Sequence, residues 1–282
     1  MLLLIILEAF IQGISEFLPV SSSGHLALFW AGADQLGSKE ALALNPADEM
    51  MLDVAVHLGT LLAVLLYFWR DIRSMLVSGY MVLCGRPHNE NTPHNKNTKV
   101  LLSLIVASLP LVIVGYFFKD LITNNLRSAM PVIAGATIVF GILLGVADRL
   151  SVKVYKVSAL NWSQYLMIGL FQVLALIPGV SRSGITMTAA RFCGVERAES
   201  ARYSMLLSIP AILGAGTLTM LDLIALEDIG FSLYALLAAL LAFIFALIAI
   251  GWLMSWLRHA SFTIFVVYRI VLGVLIFAII SL

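Results

Sequence analysis

The sequence predicts an all-α polytopic membrane protein built as an inverted-topology repeat, with six transmembrane helices and two re-entrant helical hairpins. Three observations lead to this prediction. Hydrophobic residues make up 61% of the 282 residues, charged residues make up 12%, and the mean hydropathy is +1.01, whereas soluble domains carry about 25% charged residues. Two apolar regions are each interrupted by a proline followed by a Ser/Gly cluster. Lys and Arg residues are concentrated in alternate loops.

The elements follow from apolar runs of about 20 residues, the length that a helix needs to cross about 30 Å of hydrocarbon. In chain order they are a first hairpin at 2–33, spans at about 50–69, 100–118 and 131–148, a second hairpin at 162–192, and spans at about 202–222, 234–256 and 262–281. Residues 1–148 and 149–282 are then two repeats of one integrated membrane domain. The opening run "MLLLIILEAFIQG" lacks a basic leader and contains Glu8, so we interpret it as part of the first hairpin rather than as a secretory signal.

Each interrupted region carries its break near the middle, "LPVSSSGH" at 18–25 and "IPGVSRSG" at 177–184. A break in a helix leaves backbone N–H and C=O groups unpaired, and a membrane protein tolerates this only where the break is buried in protein or lines a wet cavity. We therefore predict that each region enters and leaves the membrane on one side.

The distribution of basic residues supports this layout. With residues 34–49 placed outside, the inner loops and the helix boundary at Arg202 hold 12 Lys and Arg residues, and the outer loops hold three. The positive-inside rule predicts such a bias. Treating either hairpin as a complete span would reverse the sidedness of everything that follows it. The two remaining basic residues, Arg182 and Arg269, lie inside apolar segments.

The two halves also resemble each other, because "LPV-SSSG" at 18–24 matches "IPGVSRSG" at 177–184 with one extra residue. In this layout the first hairpin opens outward and the second inward. Inverted repeats with broken helices place their polar site near the bilayer midplane, where the broken elements meet. We therefore predict a site between the two breaks.

Arg182 is the residue that most needs an explanation, because an arginine near the bilayer centre costs about 2.5–3.5 kcal/mol. One explanation is an ion pair with Glu16 across the repeat interface. The other is an anion site: the arginine fork matches a phosphate bidentately, and a half-helix beginning near Gly184 directs its N–H groups to the same place. The candidate phosphate-binding residues around Arg182 are Ser181, Ser183, Gly184 and Thr186.

The first hairpin supplies a complementary set of groups. Glu8, Gln12 and Glu16 are spaced by four, so they share one helix face. Glu16 is a candidate metal ligand or base, and His25 and Ser22 are candidate nucleophiles, with His25 also able to shuttle protons. The other candidate binding residues of this hairpin are Gln12, Ser21 and Ser23. The structural alternative is that the serines satisfy broken backbone and that His25 is a hydrogen-bonded core histidine.

Three further charged residues lie in apolar segments. Asp53 and His57 are four apart at the start of the first span, so they either line the entrance of the site or form a local helix pair. We expect Arg269 to pair with an acid of a neighbouring helix.

The remaining histidines and cysteines of interest carry no metal-site pattern. The loop "GRPHNENTPHNKNTK", with His88 and His94, has the composition of a solvated cytoplasmic connector. Cys84 and Cys193 are far apart in sequence and show no CxxC spacing, so we predict two free thiols.

Two stretches, "QGISEFLPVSSSGHL" and "PGVSRSGIT", closely resemble the defining motifs of the BacA/UppP family of undecaprenyl-diphosphate phosphatases, (E/Q)xxxE with a downstream SSxGH, and PGxSRSxxT. The similarity extends over the whole chain. It implies a bacterial plasma (inner) membrane hydrolase that converts undecaprenyl diphosphate to the monophosphate carrier reused in peptidoglycan and cell-wall polymer synthesis. It also implies an active site on the extracytoplasmic side, and resistance to bacitracin, which sequesters the diphosphate.

Carried over by position, the acidic motif falls on Gln12 and Glu16. The resemblance implies that the Ser/His stretch is Ser21, Ser22 and His25, and that the phosphate motif is Ser181, Arg182, Ser183 and Thr186. A divalent cation, Mg²⁺ or Ca²⁺, is implied with Glu16 as its ligand. Many members have Glu where this chain has Gln12, so either Glu8 substitutes or one carboxylate and substrate oxygens suffice.

The expected partners are a polyprenyl diphosphate lipid and the bilayer, with no nucleic acid. Small-residue strings such as "GAGTLT" leave a homodimer open. We favour attack by His25 or Ser22, helped by Glu16, over direct attack by water. The rival function is a transporter or flippase of an anionic polyprenyl phosphate, since secondary transporters also use inverted repeats with broken helices.

Overall fold

The structure, a computed structural model, describes residues 2–35, 37, 46–84, 93–118, 129–151, 155–225 and 233–281. These ranges are almost entirely helical, with one isolated β-bridge between Tyr155 and Val195. Their eleven α-helices are α1 (Leu2–Ser15), α2 (Ser22–Gln35), α3 (Pro46–Tyr67), α4 (Trp69–Leu83), α5 (Pro93–Phe117), α6 (Met130–Leu150), α7 (Trp162–Val173), α8 (Arg182–Phe192), α9 (Arg197–Ala225), α10 (Leu233–Trp256) and α11 (Thr263–Ile280). An all-α fold is confirmed.

Five helices of the described ranges are long and apolar enough to cross a membrane, namely α3, α5, α6, α10 and α11. They coincide with five of the six predicted spans. The sixth prediction, 202–222, lies within the 29-residue helix α9, which contains Pro210 and is not among these five. The coarse prediction of a polytopic helical membrane protein is therefore confirmed.

The interval 70–99 between the first two predicted spans, interpreted as an inner loop, is wrong in its extent. Residues 69–83 form α4, and α5 begins at Pro93. Helix α4 buries Met75 and Ser78 and exposes Trp69, Leu76 and Tyr80, which recur at helical spacing along one face. The periodicity of this short amphipathic segment was overlooked because the loop was defined by its charged residues. Residues 85–92, including His88, lie outside the described residues.

Both predicted hairpins consist of two short helices around a break. The first is α1 and α2, separated by residues 16–21, and the second is α7 and α8, separated by a 3₁₀ turn at Leu174–Leu176 and by residues 177–181. Their helices have 14, 14, 12 and 11 residues. At 1.5 Å per residue none exceeds about 21 Å, which is too short to cross about 30 Å of hydrocarbon.

The hairpins pack against the long helices of the opposite half of the chain. Helix α1 packs on α10, and helix α7 packs on α5. Each contact has a glycine: a Cβ on Gly13 would lie 2.9 Å from the Ala242 carbonyl oxygen, and a Cβ on Gly169 would lie 2.6 Å from that of Ala107. The backbones of these helices therefore approach closely only because those positions lack side chains.

A buried ionic cluster joins the helices at the end opposite the breaks. Asp148 accepts hydrogen bonds from Nε of Arg191 at 3.1 Å, from Nε of Arg197 at 2.7 Å and from the backbone N–H of Phe262 at 3.3 Å. Arg191 and Asp148 are each about 5% exposed. The cluster holds α6, α8 and α9 against the start of α11, so it fixes the position of the C-terminal end of α8.

Candidate active site

The two helix breaks meet. Arg182, at the first position of α8, donates from Nη2 to Oε1 of Glu16 at 2.8 Å, although the two residues are 166 positions apart. Ser183 donates from Oγ to the backbone carbonyl of Leu18 at 2.8 Å. The two breaks, between which the sequence predicts a polar site, are therefore in direct contact through "EFLPVSSSGH" and "PGVSRSG".

Glu16 is the centre of these contacts. Its Oε2 accepts hydrogen bonds from Nε2 of Gln12 at 2.9 Å and from Oγ of Ser22 at 3.0 Å, while Oε1 receives Arg182. The Glu16 side chain is 7% exposed and the Arg182 side chain 13%. The ion pair considered as the structural explanation of Arg182 is therefore present, and it stands beside a serine hydroxyl that donates to the same carboxylate.

Arg182 is held from two sides. Its Nη1 donates to the backbone carbonyl of Ser204 in α9 at 3.2 Å, and its Nη2 donates to Glu16. A guanidinium has five N–H donors in a planar fork. These bonds fix the plane of the fork and leave donors for an anion.

The other residues of the second motif build the tip of that hairpin. Ser181 has a φ of 70° and caps α8, because its Oγ accepts from the backbone N–H of Gly184 at 3.1 Å. Thr186 is buried, with Oγ1 2.9 Å from the Arg182 carbonyl oxygen and 2.6 Å from Oγ of Ser204. In this structure the hydroxyls of Ser181, Ser183 and Thr186 are bound to protein groups, and they surround Arg182 rather than an open cleft.

The first motif builds its tip in the same way. Ser21 has a φ of 76°, and its Oγ accepts from the backbone N–H of Gly24 at 3.3 Å. Ser21 is buried, Ser22 is half-buried and Ser23 is exposed, with Oγ of Ser23 3.3 Å from Oγ of Ser21. Ser21 therefore has the capping role that the structural alternative assigned to the serines, whereas Ser22 points to Glu16.

The two hairpin tips share the residues that build the turn but differ at other positions. The capping serines Ser21 and Ser181 correspond, and so do Gly24 and Gly184. Ser22, however, corresponds to Arg182, and His25, which follows Gly24, corresponds to Ile185. The candidate chemical residues Ser22, His25 and Arg182 thus lie at positions that differ between the tips.

Two residues of α1, Glu8 and Gln12, carry acceptor oxygens that have no hydrogen-bond donor among the described residues. These atoms are both carboxylate oxygens of Glu8 and Oε1 of Gln12, and all of them are buried. Glu8 also lies within electrostatic range of Asp53 and Glu49 on α3. These oxygens, one helical turn apart, are hard ligands of the kind that Mg²⁺ and Ca²⁺ prefer, although no group of three or more His, Cys, Asp and Glu side chains suited to a metal occurs in the described ranges.

The other polar candidates have structural partners. His57 and Asp53 form the local pair, with Nδ1 of His57 3.5 Å from Oδ1 and 2.7 Å from the carbonyl oxygen of Asp53. Cys84 is exposed and Cys193 is buried, and both are free thiols as predicted. Burial raises the pKa of the Cys193 thiol to about 11.

The prediction that Arg269 pairs with an acid is wrong. Arg269 is fully buried and donates instead to backbone carbonyls, those of Thr137 at 3.1 Å, Gly179 at 2.9 Å and Val180 at 2.8 Å. The break in the second hairpin leaves the carbonyls of Gly179 and Val180 without helical partners, and an arginine with several donors satisfies them. Arg269 therefore supports the tip that presents Arg182.

Sequence reasoning missed two residues at the site. Ser204 holds Arg182 and Thr186 from α9, and Tyr268 contacts His25 from α11, with its hydroxyl 2.5 Å from Nε2. Ser204 left no signal, since an isolated serine in an apolar helix is common. Tyr268 precedes Arg269 in "FVVYRIVLG", and only the charged neighbour had drawn attention.

The structure is that of a polytopic helical membrane protein in which Arg182, Glu16 and Ser22 are in contact at the junction of two broken hairpins. A family model described as bacitracin resistance protein BacA matches residues 5–275. The chain belongs to this family.

Three relatives show how far the similarity extends. Undecaprenyl-diphosphatase 1 of Rhodospirillum rubrum is 43% identical over 278 residues, 99% of this chain and 95% of that protein. Undecaprenyl-diphosphatases of Alteromonas mediterranea and Ruegeria pomeroyi are 44% and 41% identical, over 95% and 98% of this chain and 95% and 97% of their own lengths. The similarity therefore includes both hairpins and every long helix.

Proposed function

We propose that the chain is an undecaprenyl-diphosphatase, which hydrolyses undecaprenyl diphosphate to undecaprenyl phosphate and inorganic phosphate. The observation that carries this proposal is the contact of Arg182, Glu16 and Ser22 at the junction of the hairpins. The names of the full-length relatives point to the same activity. The reaction returns the lipid carrier to peptidoglycan synthesis. It also removes the diphosphate lipid that bacitracin sequesters, which accounts for resistance to bacitracin.

The anion is bound by two positive features. The guanidinium of Arg182 offers a bidentate surface for the terminal phosphate. Helices α2 and α8 both begin at this junction, at Ser22 and Arg182, so the partial positive charge of both N-termini lies near the same phosphate oxygens. As the phosphate binds, its oxygens share the donors of Arg182 with Glu16.

The covalent step follows from the hydrogen bond between Ser22 and Glu16. Oγ of Ser22 forms a bond to the terminal phosphorus, and its proton passes to Glu16. The bond between that phosphorus and the bridging oxygen breaks, and undecaprenyl phosphate leaves. Water then hydrolyses the phosphoserine and releases inorganic phosphate. His25 is the alternative nucleophile, and it would form a phosphohistidine in the same position.

A divalent cation, Mg²⁺ or Ca²⁺, fits the oxygen atoms on the face of α1. Glu16 is the ligand that the motif implies, yet both of its oxygens already accept hydrogen bonds. The oxygens of Gln12 and Glu8 that have no donor among the described residues would supply the additional ligands, one and two turns before Glu16. When bound, the cation offsets the charge of the phosphate oxygens. In this assignment Glu8 compensates for the amide at Gln12.

In the membrane, we place the chain as an inverted repeat of six spans and two re-entrant hairpins, in the bacterial plasma membrane, with the site open to the extracytoplasmic side. Two observations support this arrangement. The basic residues divide 12 to three between alternate loops. The helix contacts also repeat between the two halves, in which α1 corresponds to α7, α3 to α9 and α5 to α10. Helix α1 packs on α10 as α7 packs on α5, and α3 packs on α10 as α9 packs on α5. Helices α3 and α9 pack on each other. The apolar tail would lie between the spans.

Phosphate release from a polyprenyl diphosphate by the purified protein tests the proposal. A transporter or flippase is the second candidate, because matched broken hairpins meeting between two halves are also a transporter architecture. Reconstituted vesicles separate the two. A phosphatase releases phosphate without any gradient, whereas a pure transporter moves labelled lipid between leaflets and leaves the diphosphate intact.

A further inference from the structure

Tyr268 makes a close contact with His25 that the proposed chemistry does not use. Its hydroxyl oxygen lies 2.5 Å from Nε2 of His25, and the two ring planes are within 7° of parallel with centroids 5.7 Å apart. The residues are 243 positions apart, on α11 and α2. The contact therefore joins the tip of the first hairpin to the last helix.

The other nitrogen of the same ring is also bound. Nδ1 of His25 lies 2.7 Å from the backbone carbonyl oxygen of Ser21. A carbonyl oxygen can only accept a hydrogen bond, so Nδ1 must carry a proton. In the neutral imidazole Nε2 is then the unprotonated nitrogen. The hydroxyl of Tyr268 accordingly donates to Nε2.

The second hairpin shows that this imidazole is not needed to build a tip. There, the backbone N–H of Ile185 donates to the carbonyl of Ser181 at 2.8 Å, and an apolar side chain occupies the position of His25. The tip forms with the same capping serine and the same positive φ. The two hydrogen bonds of the His25 ring are therefore additional to the fold of the break.

Core packing also fails to explain the contact. Tyr268 is 44% exposed, so its ring does not fill a buried space. Ser22 and His25 are three residues apart on α2 and share a helix face. The ring that Tyr268 holds thus lies beside the serine that donates to Glu16.

We propose that Tyr268 is a positioning residue: it donates to the unprotonated Nε2 of His25 and orients the ring, whose Nδ1–H tautomer the Ser21 carbonyl selects. The role in phosphate release rests on the proposed function; the tautomer itself does not. In this state Nε2 is available to accept a proton from the water that hydrolyses the phosphoserine, once substrate displaces the hydroxyl of Tyr268.

Nitrogen NMR of histidine-labelled protein in nanodiscs tests the tautomer directly. The chain has five histidines, and His25→Gln identifies the signals of His25 by their loss. We expect a protonated Nδ1 and an unprotonated Nε2 in the wild type. Tyr268→Phe should move the Nε2 signal, because it removes the hydrogen bond to that nitrogen, whereas Tyr116→Phe, which alters an exposed tyrosine of α5, should change nothing. An Nε2–H tautomer in the wild type, or signals unmoved by Tyr268→Phe, would overturn the proposal.

Activity provides the second readout. Tyr268→Phe should lower kcat by about 10-fold, as expected for the loss of one hydrogen bond to a reacting group, with KM within about twofold. It should have no further effect in a His25→Gln background, because the role of Tyr268 passes through His25. Equal effects in both backgrounds would contradict the proposal. If the wild type released no phosphate while the tautomer was found as described, the proposed function would fail and the positioning would stand.

Discussion

Replacing Ser22 with alanine separates two roles that the structure allows for this hydroxyl. Ser22 donates to Oε2 of Glu16 at 3.0 Å. If the hydroxyl only positions the carboxylate, the loss is that of one hydrogen bond to a charged group, about 1.5–3 kcal/mol. At about 1.4 kcal/mol per factor of ten, kcat would fall by roughly 10- to 150-fold. If Ser22 is the nucleophile, the fall should be on the order of 10⁴-fold or more.

We expect the larger loss. The assay is phosphate release from undecaprenyl diphosphate by detergent-purified protein, with Ser255→Ala as the matched control, since Ser255 is an exposed serine of α10 outside both motifs. Rapid acid quenching of wild-type enzyme with substrate labelled in the terminal phosphate should leave a phosphoserine in the peptide that contains Ser22. A loss below about 150-fold, together with no adduct and inverted configuration at a chirally labelled terminal phosphorus, would refute the covalent step, because direct attack by water inverts that centre whereas two successive displacements retain it.

Three further predictions concern other parts of the molecule. Asp148→Asn should destabilise the protein by about 3 kcal/mol or more, because it leaves the guanidinium of Arg191 buried without its carboxylate; thermal unfolding in detergent measures this. Glu8→Gln should raise the unfolding temperature without divalent cations, because it removes a buried carboxylate without a donor in the described residues, and should reduce the stabilisation produced by added Mg²⁺ or Ca²⁺. In cells, a membrane-impermeant maleimide should label Cys84 only after the cytoplasmic side is opened, and should not label Cys193, which is buried.

Each of these predictions has its own control. Asp34→Asn alters an exposed acid on α2 and should leave the unfolding temperature unchanged; equal stability of Asp148→Asn would contradict the structural role of the cluster. Glu196→Gln, at another exposed acid, should keep the full response to cations, and an unchanged response in Glu8→Gln would remove Glu8 from the cation site. Cys84→Ser should abolish labelling, and labelling of intact cells at Cys84 would reverse the proposed orientation.

Much of the architecture could be predicted from the sequence, because the membrane imposes strong rules. Apolar length located five of the long helices, and the two Pro and Ser/Gly clusters located both breaks within a few residues. Helix α4 was missed because its apolar face is short and carries Arg70 and Arg73. Its apolar residues recur with a period of 3.6 residues over 15 positions, but the charged residues at its start are typical of a loop between two spans.

At the site, the sequence could name the residues but could not assign their partners. Spacing put Gln12 and Glu16 on one face, and Arg182 was expected to meet either Glu16 or an anion; only the packed structure shows the ion pair. Arg269 illustrates the limit. A buried arginine suggests an acid, yet here backbone carbonyls satisfy it, and which carbonyls a break leaves unpaired depends on tertiary geometry.

The central claim is that the junction of the two hairpins is a phosphate site organised by Arg182. The most direct measurement is phosphate release from undecaprenyl diphosphate by purified wild type, by Arg182→Ala, and by Arg258→Ala as an exposed arginine far from the breaks in sequence, with folding of all three verified by thermal unfolding. We predict release by the wild type and Arg258→Ala, and a rate at least about 10³-fold lower for folded Arg182→Ala, a loss typical of a catalytic arginine in phosphoryl transfer. Unchanged release by folded Arg182→Ala would contradict the account.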